Sequence, residues 1–122
     1  MAIVGIHHVQ LAMPVGREKE GREFYCGVLG IPEAPKPAEL AARGGVWFEN
    51  NDVKVHLGVD PEFRPARKAH PALLVRDLRA LVQRLRDAGL EVNDDELPGY
   101  HRVYVDDPFG NRLELLEPLG GR

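Results

Sequence analysis

Three histidines and one glutamate have the side chains in this sequence that are best suited to binding a metal ion, and they are His8, His56, His70 and Glu114. Imidazole nitrogens and a carboxylate oxygen bind divalent first-row metals, and two His with one carboxylate is a recurring catalytic set. A metal with open positions acts as a Lewis acid on substrate oxygens. These residue types therefore predict a metal centre, provided that the fold brings them together.

Strand periodicity predicts where each candidate ligand points. The runs that contain them alternate apolar and polar residues, as expected for strands with one buried face. His8 is out of phase with Leu11 and Met13, and Glu114 is out of phase with its leucine neighbours. We expect all four ligands on one concave face. A single histidine on a strand is more often an ordinary structural residue, and the joint pattern is what favours metal binding.

The first half of the chain predicts a strand, a helix, a short strand and a hairpin. The helix has apolar positions at helical spacing and ends at Gly30. Asn-Asn is a plausible two-residue turn because Asn tolerates positive φ. The expected elements are a strand at 3–13, a helix at 17–29, a strand and loop at 31–44, and a hairpin at 45–59 that turns at Asn50-Asn51.

The second half repeats this order. A strand is expected at 70–75, followed by an amphipathic helix at 77–90 with Asp77 as its N-terminal cap. A short strand near 90–92 and a closing hairpin with a turn at 107–110 complete the repeat.

The repeat predicts an α+β fold of two βαβββ modules of about 60 residues each. We expect one domain over residues 1–122, with module one at about 3–59, a linker at 60–69 and module two at about 70–118. The two modules are expected to form a curved mixed sheet, with helices packed against its apolar face.

Composition excludes several classes of function. The chain has 122 residues, of which 43% are hydrophobic and 29% charged, and its net charge is −3. An acidic balance without basic runs argues against nucleic-acid binding. No stretch approaches the length of a membrane span or forms a signal peptide. We therefore expect a cytoplasmic protein.

Three segments of the sequence resemble the vicinal oxygen chelate superfamily: IHHVQLAM, HPALLVRDL and DPFGNRLELLEP. That superfamily contains glyoxalase I, extradiol dioxygenases, fosfomycin-resistance thiol transferases, methylmalonyl-CoA epimerase and bleomycin-binding proteins. The resemblance covers residues 3–118 and implies a glyoxalase-like fold. Its common His, His, Glu ligand set falls on His8, His70 and Glu114. His56 takes the more variable fourth position, where glyoxalase I usually has Glu.

The resemblance implies a metal-dependent enzyme that chelates a small oxygenated substrate, as a glyoxalase-like lyase or isomerase or as a dioxygenase. Zn, Fe, Ni and Co all suit a nitrogen-rich site. Glu114 is the first choice as catalytic base, and His56 the second. One alternative is a bleomycin-resistance-like protein that sequesters a ligand, and another is an interaction module with a structural metal.

Four further residues are expected to bind substrate: Trp47, Tyr100, Arg102 and Tyr104. A turn at Asn50-Asn51 would pair Trp47 with Lys54 and Gly45 with His56.

Relatives of this size commonly dimerise, so we expect a homodimer. Each site is then built either within one chain or across two. The linker contains three cationic residues, Arg64, Arg67 and Lys68. They either bind an anionic substrate or belong to a solvated loop.

Overall fold

The computed structural model describes residues 1–120, and these form two compact units of related architecture. The first unit is Met1–Arg64, and the second begins at Pro65. No helix within residues 1–120 is long and apolar enough to cross a membrane.

Unit one contains the predicted strand, helix, strand and hairpin. Its elements are β1 (Val9–Met13), α1 (Glu18–Gly21), a π-helical segment that continues α1 (Arg22–Val28), β2 (Glu33–Ala34), α2 (Ala38–Ala41), β3 (Val46–Glu49) and β4 (Lys54–Val59). The sheet order is β1-β4-β3-β2, with β1 parallel to β4 and the other pairs antiparallel. Two expectations were wrong in detail: β1 begins at Val9 and not at residue 3, and the loop before β3 contains α2.

The predicted register of the β3–β4 hairpin was also wrong. The backbone N–H of Asn50 donates to the carbonyl of Val53, so Asn51-Asp52 forms the turn and not Asn50-Asn51. A turn displaced by one residue shifts the pairing by two. Trp47 therefore lies opposite His56, and not opposite Lys54. Both side chains remain on the predicted face, because a shift of two preserves the alternation.

One face of the first sheet packs under the helical segment. Its buried residues come from β1, β3 and β4, and they are Leu11, Met13, Val46, Phe48, Val55 and Leu57. Tyr25, from the π-helical segment, stacks on Phe48 with ring centroids 5.3 Å apart. The opposite face of this sheet therefore carries the polar residues of the candidate site.

Unit two repeats the arrangement. Its elements are β5 (Ala72–Leu74), α3 (Leu78–Asp87), β6 (Val92–Asp94), β7 (Tyr100–Asp106) and β8 (Arg112–Pro118). The sheet order is β5-β8-β7-β6, and β5 is parallel to β8. Two four-stranded mixed sheets with few helices confirm the α+β class and the pair of βαβββ modules.

Helix α3 begins at the predicted cap. The Asp77 carboxylate accepts from the backbone N–H of Ala80. The Glu117 carboxylate of β8 accepts from the backbone N–H groups of Asp77 and Leu78. These bonds satisfy donors that the first helical turn leaves without partners, so they tie the start of α3 to β8.

A buried polar pair closes the β7–β8 hairpin. The Asp107 carboxylate accepts from the backbone N–H groups of Phe109 and Asn111 and from the Asn111 side-chain amide, each at 2.9 Å. The Asn111 side-chain oxygen accepts from the backbone N–H of Ala66 at 2.8 Å. The DPFGN segment therefore has a structural role, which is to fix the hairpin that carries Tyr104 and Glu114.

Candidate metal and ligand-binding site

Three aromatic rings lie in a row on the polar face of unit one. The His8 ring stacks on the His56 ring at a centroid distance of 4.2 Å, and the His56 ring stacks on the Trp47 ring at 4.1 Å. His8 precedes β1, yet it lies on the predicted face, next to Gln10 and His56, which pair across β1 and β4. The structure thus brings two predicted ligands and one predicted substrate contact together.

His56 is buried, and one carboxylate orients it. Its Nε2 lies 2.6 Å from Oε2 of Glu49. Burial lowers the pKa of His56 below its usual value, despite the opposing effect of Glu49. The bond from His56 lowers the pKa of Glu49. A neutral imidazole that donates from Nε2 keeps its lone pair on Nδ1, so Glu49 fixes the tautomer as a carboxylate beside a metal ligand would.

His70 and Glu114 form the corresponding pair in unit two. Their Nε2 and Oε1 atoms are 2.9 Å apart. Nδ1 of His70 lies 3.1 Å from the carbonyl oxygen of Arg67 and 2.9 Å from that of Lys68. A carbonyl oxygen only accepts hydrogen bonds, so Nδ1 must carry a hydrogen. In neutral His70 the lone pair is therefore on Nε2 and faces the carboxylate.

Arg102 holds the second oxygen of Glu114. Its Nη1 donates to Oε2 of Glu114 at 3.2 Å, and its Nε donates to the carbonyl of Asp95 at 2.7 Å. Burial opposes the ionisation of Glu114, but the bonds from His70 and Arg102 outweigh it, so the pKa of Glu114 lies below its usual value. Glu114 is thus ionised at neutral pH.

Tyr104 forms the aromatic wall of this second cluster. Its ring meets the His70 ring edge-on at 5.6 Å, and the Arg102 guanidinium lies 5.3 Å from its centroid. The Arg112 guanidinium lies 5.5 Å from the same centroid. Tyr100, four residues away on β7, instead lines a separate cleft of about 480 Å³ near Leu97 and Leu119.

The four predicted ligands thus occur as two pairs, His8 with His56 and His70 with Glu114. Within residues 1–120, no group of three or more His, Cys, Asp or Glu side chains is arranged to hold a metal ion. Each pair is therefore half of the predicted set.

Sequence reasoning missed two residues of the site. Glu49 was overlooked because the expected register placed Lys54 opposite Trp47, whereas a turn at Asn51-Asp52 would have placed Glu49 near His56. Arg112 precedes Glu114 by two residues on β8 and shares its face, so alternation alone could have identified it. Arg67, by contrast, is held by Asp106 and by the carbonyl of Gly110 at 2.8 and 2.7 Å.

Comparison with known proteins agrees with this architecture. The closely similar crystal structure of a glyoxalase family protein from Bacillus anthracis has 49% sequence identity and a TM-score of 0.91, over 95% of this chain and 96% of that one. A fosfomycin resistance protein from Listeria monocytogenes (14% identity, TM-score 0.75, 94% of this chain and 93% of that one) shares the fold. So does the antibiotic binding protein TnmS3 from Streptomyces sp. CB03234 (23%, 0.73, 97% and 98%).

No curated protein sequence matches the chain. Residues 5–115 match the model of the Glyoxalase/Bleomycin resistance protein/Dioxygenase superfamily. This match covers well over half of the chain and includes every predicted ligand. The chain therefore belongs to this superfamily, which is the vicinal oxygen chelate superfamily that its histidine strands and DPFGN segment resemble.

Proposed function

We propose that this protein is a metal-dependent enzyme that chelates a small oxygenated substrate through one divalent ion. The proposed ligands are His8, His56, His70 and Glu114. Members of the superfamily generally use divalent metals. Zn, Fe, Ni and Co are the candidates, because three imidazoles and one carboxylate suit these metals.

The observation that carries the proposal is the contact between His70 and Glu114. Two backbone carbonyls hold the hydrogen of His70 on Nδ1, so the lone pair on Nε2 faces a carboxylate oxygen 2.9 Å away. Two electron-rich atoms at this distance need a cation between them. A divalent metal would supply that cation.

Unit one supplies a matching pair. The lowered pKa of His56 keeps its imidazole in the neutral form that binds metals. Glu49 orients this ring, and His8 lies against it. Each unit therefore contains one imidazole whose tautomer is fixed by a hydrogen bond from its other ring nitrogen, as is usual for histidine ligands. His56 is held by Glu49, and His70 by backbone carbonyls.

When bound, the ion supplies Lewis acidity toward two neighbouring oxygens of the substrate. Glu114 is the proposed base, because the bonds from His70 and Arg102 keep its carboxylate ionised against the effect of burial. His56 is the second candidate for moving a proton. Trp47, Tyr104 and Arg102 are the proposed substrate contacts, whereas Tyr100 lines the cleft near Leu97 and is not retained among them. These roles fit a lyase, an isomerase or a dioxygenase.

We further propose a homodimer. Superfamily members commonly form dimers. Ile3, Val4 and Ile6 are 75%, 98% and 85% exposed, and an interface would cover such apolar side chains. A single cysteine, Cys26, suits a reducing compartment, and we propose the cytoplasm.

Elemental analysis of purified protein tests the metal. After reconstitution with Zn²⁺, Fe²⁺, Ni²⁺ or Co²⁺ and desalting, the wild type should retain about one ion per chain, as expected for one site. His70→Ala and Glu114→Ala should each lose it, and His101→Ala is the matched control that should keep it. A wild type without metal above background would end the proposal.

Mixing two inactive variants shows which chains build the site. If each site lies within one chain, mixed His8→Ala and Glu114→Ala protomers bind no metal. If ligands come from two chains, one site in each heterodimer is intact, and the random mixture binds about a quarter of an ion per chain.

The second candidate function is sequestration of a ligand between aromatic walls. The His8, His56 and Trp47 rings already form a continuous stack, as a binding protein for planar ligands would need. This function predicts tight binding of an apolar ligand that persists in excess chelator. The enzyme proposal predicts substrate turnover that chelation abolishes.

A further inference from the structure

A small cleft lies beside His56 on unit one. Its volume is about 260 Å³, and it is lined by Gln10, Lys36, Leu40, Arg43, Gly44, Trp47, Leu57, Gly58 and Val59. Trp47 also stacks on His56, and Gln10 pairs with His56 across the sheet. Trp47 and Gln10 therefore lie between the cleft and the proposed ligand pair of this unit, and the cleft suits a small substituent of a substrate.

Two cationic side chains line this cleft. Lys36 is half-buried, and its ammonium donates to the carbonyl of Gly44, which leaves two of its N–H groups for a ligand. Arg43 is exposed and has no ion pair within residues 1–120. The Glu18 carboxylate lies close to Gly44 of the lining and accepts from the backbone N–H of Gly45. One carboxylate beside two cations leaves the cleft with a net positive charge.

Gly58 leaves space in the lining of the cleft for the side-chain amide of Gln10. A Cβ atom at Gly58 would come within 2.7 Å of Nε2 of Gln10. The Gln10 side chain therefore lies directly over β4, and its amide N–H groups join the two cations in the lining. A planar donor beside two positive charges is a suitable set for the oxygens of an anion.

We propose that the cleft binds an oxyanion of the substrate, a carboxylate or a phosphate, through Lys36, Arg43 and Gln10. The inference rests on the proposed function for the other end of that substrate, which the metal would chelate. It narrows the substrate class to small molecules with two oxygen-bearing ends, one that chelates and one that is anionic.

Trp47 is the only tryptophan of the chain, so its fluorescence reports on this cleft. The protein is freed of metal with EDTA, desalted into buffer without chelator, and titrated with inorganic phosphate, acetate or neutral acetamide at constant ionic strength. We expect a saturable fluorescence change with phosphate or acetate and none with acetamide. The tighter of the two anions identifies the class of oxyanion.

Substitutions test the assignment. Lys36→Met and Arg43→Gln should each weaken anion binding roughly tenfold, as expected for loss of a charge-assisted hydrogen bond. The controls Lys19→Met and Arg76→Gln remove exposed charges outside the cleft and should leave binding unchanged. Far-ultraviolet circular dichroism shows whether each variant folds. If Lys36→Met does not fold, Arg43→Gln still tests the assignment, because Arg43 is exposed.

The proposal is overturned if neither anion gives saturable binding, or if the control substitutions weaken binding as much as those in the cleft. Because the titration contains no metal, its result is independent of the enzyme proposal. Anion binding without metal binding would refute only the proposed function. Metal binding without anion binding would refute only the proposed oxyanion site in the cleft.

Discussion

The buried Asp107 carboxylate should be one of the most stabilising side chains of unit two. Asp107→Ala removes three hydrogen bonds of 2.9 Å, from the backbone N–H groups of Phe109 and Asn111 and from the Asn111 side-chain amide. At about 1–1.5 kcal/mol for each bond, the free energy of unfolding should fall by about 3–5 kcal/mol. Asp107→Asn keeps an oxygen for the two backbone donors and should cost only about 1–2 kcal/mol.

Urea unfolding followed by circular dichroism measures this difference. For Asp107→Ala the urea midpoint should fall by roughly 2 M. Asp106→Ala is the matched control: this neighbouring carboxylate is about half exposed and pairs with Arg67 at the surface, so it should cost less than about 1 kcal/mol. Equal losses for the two variants would refute the argument that the DPFGN segment is held by its buried carboxylate.

Three further outcomes are expected. Gly45→Ala would place a Cβ atom 2.2 Å from the Leu57 carbonyl oxygen, so the free energy of unfolding in urea should fall by more than about 2 kcal/mol. Gly89 has a similar positive φ in open space, so Gly89→Ala should cost only about 1–2 kcal/mol. Burial lowers the pKa of His56, so the neutral ring stabilises the metal-free protein fully above a pH of about 6.5. The free energy of unfolding should decrease as the pH falls from there toward the lowered pKa. The urea midpoint of His56→Gln should change less with pH over the same window. Zn²⁺ at about 100 times its dissociation constant should stabilise the wild type by about 2.7 kcal/mol in thermal or urea unfolding, reversibly with EDTA, and should not stabilise Glu114→Ala.

Periodicity predicted the faces of the strands correctly because it depends only on alternation. Val103 and Val105 are buried as expected, while Arg102 and Tyr104 share the face of Glu114. The β3–β4 register was less predictable, because the NND sequence at residues 50–52 offers two overlapping turns with equally suitable residues. Pairing of Val46 with Leu57 in the core, and stacking of Trp47 on His56, favour the turn at Asn51-Asp52.

The candidate site was predictable in its residue types and not in its hydrogen bonds. Glu49 reaches His56 from a diagonal position whose identity depends on the register, and the carbonyls of Arg67 and Lys68 reach His70 from a loop without periodicity. Backbone contacts of this kind follow from the path of the loop, which alternation and helical spacing do not encode. The helix α2, which leads to Arg43, was missed because prolines precede it and its four residues are too few to show a helical period.

A Zn²⁺ titration followed by NMR of the histidine imidazoles tests most directly whether the two ligand pairs, His8 with His56 and His70 with Glu114, bind one metal ion. At about one equivalent per chain, the signals of His8, His56 and His70 should all shift together and then saturate, as expected for ligands of one ion. Zn²⁺ is diamagnetic, so His101, which is not a proposed ligand, is the internal control and should shift far less. A response confined to one of the two pairs, or none at saturating Zn²⁺, would contradict a shared metal site.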